Sequence, residues 1–269
     1  MTSASSAAPS VGATSRFPAL FMGHGSPMNA VEDNAWSRGF TALGAALPVP
    51  RAILCVSAHW YVRGTHVTSN AAPELIYDFS GFPRALYEVR YPARGDAELA
   101  QRITSLLADV QATGRSDWGL DHGTWSLLVK LRPQADVPVL QLSIDRLARP
   151  AAHLAIGRAL APLREQGILL LGSGNITHNL AHALGGGGRE RPDWAERFDR
   201  DVATALEQRD TDFLVRALET DDGRRAHPSA DHYLPLLYVA GAAHDADRVS
   251  YPITGFDLGS LSMRSVSLA

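Results

Sequence analysis

Short apolar runs recur along the chain, and amphipathic stretches fill the intervals between them. Ala19–Met22 (ALFM), Ala52–Ser57 (AILCVS), Val137–Ser143 (VPVLQLS) and Ile168–Leu171 (ILLL) are bounded by Gly, Pro or Ser. They are short and almost continuously apolar, which predicts strands buried on both faces of a covered sheet. In Glu98–Val110, Leu99, Ile103, Leu106, Leu107 and Val110 share one helical face, with Asp96 placed to cap the start. Trp194, Phe198, Val202 and Leu206 repeat every fourth residue through Trp194–Gln208. Ala151–Gln166 reads as a helix closed by Gly167, and Tyr233–Ala243 as a further apolar helix. Apolar residues alternate with serines between Leu258 and Leu268, which predicts a last strand at a sheet edge. The alternation of elements predicts a single α/β domain with a mostly parallel central sheet and helices on both faces. The chemistry of such sheets sits in the loops at the strand ends.

Residues 1–15 (MTSASSAAPSVGATS) are small, polar and uncharged. They lack the basic start and apolar core of a secretory signal and predict a disordered tail, leaving 16–269 as the folded domain. The Gly185–Gly188 run (GGGG) reads as a mobile loop on that domain rather than a hinge between two. No apolar stretch approaches the roughly 20 residues that span a bilayer.

Composition narrows the function. Of the 269 residues 45% are hydrophobic, enough for a large core, and the net charge of −3 argues against a general nucleic-acid binder. The single cysteine, Cys55, excludes an intramolecular disulfide and CxxC metal sites, and a reduced, cytoplasmic setting is expected. Ten histidines stand out, because several lie at the ends of apolar runs beside small residues.

His24, in Gly23–Pro27 (GHGSP), directly follows the first strand, where flanking glycines allow a sharp turn. His59, in Ser57–Trp60 (SAHW), closes the second strand. Each either enters a site or is a hydrogen-bonded structural imidazole. His122 follows Asp121, which can cap the helix Thr124–Lys130, and His122 itself can be a turn residue. His178 lies in or just before the helix after the ILLL strand. His227, Asp231 and His232 put three potential ligands within six residues, at a spacing that matches no standard zinc pattern. His66, His153, His182 and His244 read as structural or surface residues. Neutral imidazole suits zinc, copper, iron and nickel, so a convergent set would support metal-assisted hydrolysis or oxygen chemistry.

Eight motifs occur in order: GHGSPMN (Gly23–Asn29), SAHW (Ser57–Trp60), DFSGFPRALYEVRYPARG (Asp78–Gly95), DHGTWSLL (Asp121–Leu128), QLSID (Gln141–Asp145), GSGNITHNL (Gly172–Leu180), DHYLPLLYVAGA (Asp231–Ala242) and GSLSMRS (Gly259–Ser265). Together they resemble the 4,5-DOPA extradiol dioxygenase-like proteins, a branch of the protocatechuate 4,5-dioxygenase-type ring-cleaving enzymes. The resemblance implies an α/β fold with a mixed sheet, one divalent ion, Zn(2+) or Fe(2+), and a catechol-type substrate opened beside its hydroxyls with O2. It implies metal ligation by His24, His59 and His232. The protocatechuate-type branch has a carboxylate at that third position, and the histidine here makes zinc a credible occupant. His178 matches a catalytic base that can also approach the metal, and His122 a pocket histidine facing oxygen or substrate. Two other readings stay open: a zinc hydrolase or zinc protein of the same fold, and a metal-binding module without catalysis. The loop Tyr77–Arg94 carries Phe79, Phe82, Tyr87, Tyr91, Arg84 and Arg90. Its aromatics can wall a ring-binding pocket or anchor the loop, and an Arg can hold a substrate carboxylate.

Overall fold

The computed structural model describes residues 16–185 and 190–269. The expected tail and most of the GGGG loop therefore lie outside the described residues. The strands are β1 (Ala19–Gly23), β2 (Ala52–Val62), β3 (His66–Thr68), β4 (Thr113–Arg115), β5 (Val139–Asp145), β6 (Ile168–Gly174), β7 (Val249–Ile253), β8 (Phe256–Asp257), β9 (Leu261–Ser262) and β10 (Ser265–Leu268). The helices are α1 (Ala35–Ala46), α2 (Arg84–Tyr87), α3 (Ala97–Leu106), α4 (His122–Leu131), α5 (Pro150–Leu160), α6 (Leu180–Leu184), α7 (Asp193–Gln208), α8 (Thr211–Arg216), α9 (Asp221–Ala226) and α10 (Leu234–Gly241).

Eight strands form one sheet in the order β4-β3-β5-β2-β6-β1-β10-β7. Its centre, β5-β2-β6-β1, is parallel throughout, and antiparallel pairings occur only toward the flanks, between β3 and β5, β1 and β10, and β10 and β7. The four apolar runs are these central strands. Alternate side chains go to opposite faces. Ala19, Phe21, Leu54 and Leu170 pack with Ile103, Leu154, Phe198 and Leu236 from α3, α5, α7 and α10. Leu20, Met22, Ile53 and Leu169 pack with Phe40 and Trp125 from α1 and α4. Two cores on one sheet explain why the strands read as apolar at nearly every position.

Local signals set several ends. The Asp96 carboxylate accepts the Leu99 N–H at 2.8 Å and caps α3. The run Ala151–Gln166 splits, with α5 ending at Leu160 and a 3₁₀ segment, Ala161–Gln166, continuing to Gly167 in the left-handed region at φ 77°. Pro162 inside the run lacks an N–H and cannot continue the α ladder. The last strand is not at the edge: β10 lies between β1 and β7, and β7 takes the edge. Its serines read as solvent-facing in sequence, yet Ser265 is fully buried. No helix among the described residues is long and apolar enough to cross a membrane.

Candidate metal centre

The parallel strands deliver their chemistry at their C-terminal ends. His24 follows the last residue of β1, and its N–H donates to the Gly174 carbonyl at the end of β6 at 3.0 Å. His59 lies within β2, which runs on to Val62 instead of ending at Ser57. The pairing of β2 with β5 shifts register between Val56 and Tyr61, so His59 sits in an irregularity of the ladder. Such breaks re-aim side chains beside active sites. His122 is the first residue of α4, whose N-cap Asp121 accepts the Thr124 N–H. The next residue, Gly123, has no room for a Cβ, which would meet Ser57 Oγ at 2.6 Å and His59 Cδ2 at 2.7 Å. His232 precedes α10, and its carbonyl accepts the Asn175 N–H at 3.0 Å, binding this segment to the loop after β6. That loop leads to His178, whose N–H donates to the Ala226 carbonyl at 3.0 Å.

Five imidazoles meet in this cleft. His24, His59 and His122 each offer a ring nitrogen within 4.8 Å of the other two. The ring of His232 lies 5.2 Å from that of His24 and 5.0 Å from that of His59, centre to centre. His178 stacks on His232 at 3.4 Å with the planes 3° apart.

The outer nitrogens are held by oxygen. The Ser173 hydroxyl donates to the Gly123 carbonyl at 2.6 Å, so its Oγ serves as acceptor for His24 Nδ1 at 2.9 Å. Asp231 Oδ1 lies 3.1 Å from His232 Nδ1. Asp78 Oδ2 lies 3.2 Å from His59 Nδ1, and its Oδ1 lies 2.9 Å from His122 Nδ1. With Nδ1 of His24 and of His59 facing acceptors, each ring in its neutral form carries its proton there and presents a bare Nε2. Those two Nε2 atoms are 3.3 Å apart. Two lone pairs at that distance repel unless a proton or a metal ion lies between them. Nitrogens about 2.0–2.1 Å from one tetrahedral ion are separated by about 3.3–3.4 Å, so the residues present fit a metal ion.

Burial, reinforced by the neighbouring imidazoles, holds His24 and His232 well below the usual histidine range. Burial, with His227, lowers His178 to about 3. These rings are neutral at physiological pH, the form that ligates metals. His122 is lowered chiefly by burial. Burial also disfavours the charged form of His59, but Asp78, Asp121 and Asp231 outweigh it and raise that residue. Asp78 in turn is held far below the usual carboxylate range, because His122 and His59 overcome the effect of burial.

The remaining candidates separate from the cluster. His227 gives its Nε2 to the Ile176 carbonyl at 2.8 Å, and so braces the loop before His178. Asp231 serves His232. His66 bonds Thr113 and the Arg63 carbonyl, and buried His153 bonds the Tyr238 hydroxyl at 2.9 Å. In the aromatic loop, Phe79 lies 5.3 Å from the His122 ring, and Tyr77, Phe79 and Trp125 pack on one another. Tyr91 is an anchor, with its hydroxyl donating to the Arg132 carbonyl at 2.9 Å. Arg90 is engaged by the Tyr77 hydroxyl and two carbonyls, and Arg84 by Glu88. The sequence reading missed the parts played by Ser173 and Asp78. Both lie in the quoted motifs, but nothing local tells a hydroxyl or carboxylate that will face an imidazole from one that will face water.

An α/β sheet whose strand ends bring these imidazoles together forms a candidate metal centre. Comparison with known proteins gives the class. Residues 18–257 match the family described as the catalytic LigB subunit of aromatic ring-opening dioxygenase. The chain is 46% identical over 259 residues to a 4,5-DOPA dioxygenase extradiol of Escherichia coli K12, covering 95% of this chain and 96% of that protein. It is 36% identical over 254 residues to a protein of the same name from Beta vulgaris, covering 91% and 94%. The crystal structure of an uncharacterized protein from Escherichia coli K12 superposes with a TM-score of 0.83 at 42% identity, over 94% of this chain and 100% of the other. The chain belongs to the LigB family and is an extradiol aromatic ring-opening dioxygenase.

Proposed function

We propose that this enzyme opens a DOPA-like catechol, or a related aromatic acid, at a ring bond beside its two hydroxyls. The carbon–carbon bond breaks and both oxygen atoms of O2 enter the product. Substrate and O2 together account for every atom of that product, so no external reductant is needed. His24, His59 and His232 are assigned as metal ligands, with His178 as base and a further potential ligand, and His122 at the substrate. The active ion in this reading is Fe(2+), and Zn(2+) fills the same imidazole set without activity because it has no redox chemistry. When bound, the ion acidifies the catechol hydroxyls and supplies the electronic partner that O2 requires.

The observation that carries this reading is the 3.3 Å approach of the His24 and His59 Nε2 atoms, in a chain of this family. The names of the relatives from Escherichia coli and Beta vulgaris support a DOPA-like substrate. His178 is unprotonated at neutral pH, as a base must be before it acts. Phe79, beside His122, offers an apolar wall for an aromatic ring.

The test is to load the purified protein with Fe(2+) without oxygen, then add catechols in air and follow O2 uptake and visible absorbance. DOPA or a close analogue is expected to consume O2 and give a yellow ring-opened product. A broad catechol panel that consumes no O2 overturns the reading.

A further inference from the structure

We infer that Asp78 is a positioning residue: one carboxylate fixes the orientation and proton placement of both His59 and His122, and ties the aromatic loop to the metal centre. This rests on reading the imidazole cluster as that centre. The two oxygens of Asp78 divide between the rings, Oδ2 lying 3.2 Å from His59 Nδ1 and Oδ1 lying 2.9 Å from His122 Nδ1. Oδ1 also accepts the His122 backbone N–H at 3.0 Å. His122 Nδ1 is buried, and its contact with Oδ1 is close in distance but off the alignment of a hydrogen bond. The two rings lie 3.8 Å apart, centre to centre, so one group can reach both.

A carboxylate suits this position because it offers two acceptor oxygens and no donor. An imidazole nitrogen facing it must carry the proton, since a lone pair there would be repelled. Each ring then keeps a bare Nε2, His59 toward the metal and His122 toward the substrate. Asn at position 78 can accept from only one ring, because its amide nitrogen donates. The neighbours in sequence extend the effect. Phe79 packs against the His122 ring and Tyr77 against Trp125, so the aromatic wall and the two histidines are registered through one residue.

The test compares wild-type protein with Asp78→Asn and Asp78→Ala in three measurements. These are Zn2+ affinity by chelator competition, imidazole nitrogen shifts by NMR, and the melting temperature of the metal-free protein. The Asp78 side chain is 23% exposed, so its replacement leaves the two cores intact. The expected result is Zn2+ binding weakened about 10- to 100-fold in both variants, as for other groups that orient metal ligands. The His59 and His122 signals should lose their single Nδ1–H form, with the melting temperature nearly unchanged. Wild-type affinity and wild-type imidazole signals in Asp78→Asn overturn the inference. So does an affinity loss that only tracks a fall in melting temperature. Wild-type protein that binds no Zn2+ removes both the metal centre and this role. Wild-type protein that binds Zn2+ but, loaded with Fe(2+), consumes no O2 with any catechol overturns the proposed reaction alone.

Discussion

Ser173 and His24 are joined by a hydrogen bond whose direction is set by a third group. Because the Ser173 hydroxyl donates to the Gly123 carbonyl at 2.6 Å, it accepts from His24 Nδ1 at 2.9 Å. All three groups are buried. Ser173→Ala removes the acceptor and frees the imidazole to turn or to move its proton to Nε2. Metal affinity is expected to fall about 10- to 100-fold. Stability is expected to fall by about 1–3 kcal/mol, because the buried His24 Nδ1–H loses its acceptor. Chelator competition and thermal unfolding check the two effects separately.

Gly174 is held to glycine by its neighbour. A Cβ there would lie 2.1 Å from the His232 carbonyl oxygen, a backbone atom that has no room to move without displacing His232. Gly174→Ala is expected to cost about 1–3 kcal/mol or more through overpacking. It should also shift His232 and lower metal occupancy. Metal analysis of the folded variant, with its melting temperature, is the measurement. Full metal occupancy would show that the His232 segment is more yielding than its contacts indicate.

His178 stacks on His232 and lies at the edge of the cluster. His178→Ala is expected to lower the rate of O2 uptake on a catechol by about 100-fold or more, the size of a general base's contribution. A substantial share of the metal should remain bound through the other imidazoles. Steady-state rates normalised to metal content decide this, and an unchanged rate removes His178 from the base role.

Far from the site, Arg164 and Asp247 form a buried ion pair at 2.5 Å, with side chains 0% and 2% exposed. Arg164 also donates to the carbonyls of Phe17, Ala242 and Leu268, and so binds both ends of the domain to the sheet. Burial alone would raise Asp247, but Arg164, the His244 N–H and Arg16 outweigh it and hold the carboxyl below its ordinary value. A carboxyl lowered in the folded state contributes its full stability above the unfolded value of about 3.9. That contribution is lost as pH falls through the lower folded value. Melting temperature should therefore drop in acid below about pH 4. Asp247→Ala should lose about 3–5 kcal/mol at neutral pH, because the guanidinium is left buried without its carboxylate. It should also show a flatter acid limb. Unfolding curves from pH 2 to 7 for both proteins make the comparison.

Much of the fold is legible in the chain. The runs ALFM, AILCVS, VPVLQLS and ILLL became β1, β2, β5 and β6, since a strand covered on both faces leaves an unmistakable apolar signature. Asp96 and Gly167 marked helix ends by chemistry that acts within one turn. The placement of β10 was not legible. Alternating apolar and serine residues look like an exposed edge, and only the pairing with β1 and β7 shows the strand to be interior.

The sequence by itself determined the periodicities, the α/β class, the histidines at strand ends and the ordered motifs, because each depends on neighbours along the chain. The tertiary structure decided which histidines share a cleft. His24 and His232 are separated by most of the domain in sequence, yet their rings lie 5.2 Å apart. It also decided which oxygen faces each ring, since Ser173 and Asp78 acquire their partners only when segments distant in sequence are brought together. A bare Nε2 depends on the acceptor at the opposite nitrogen, and that acceptor comes from another part of the chain.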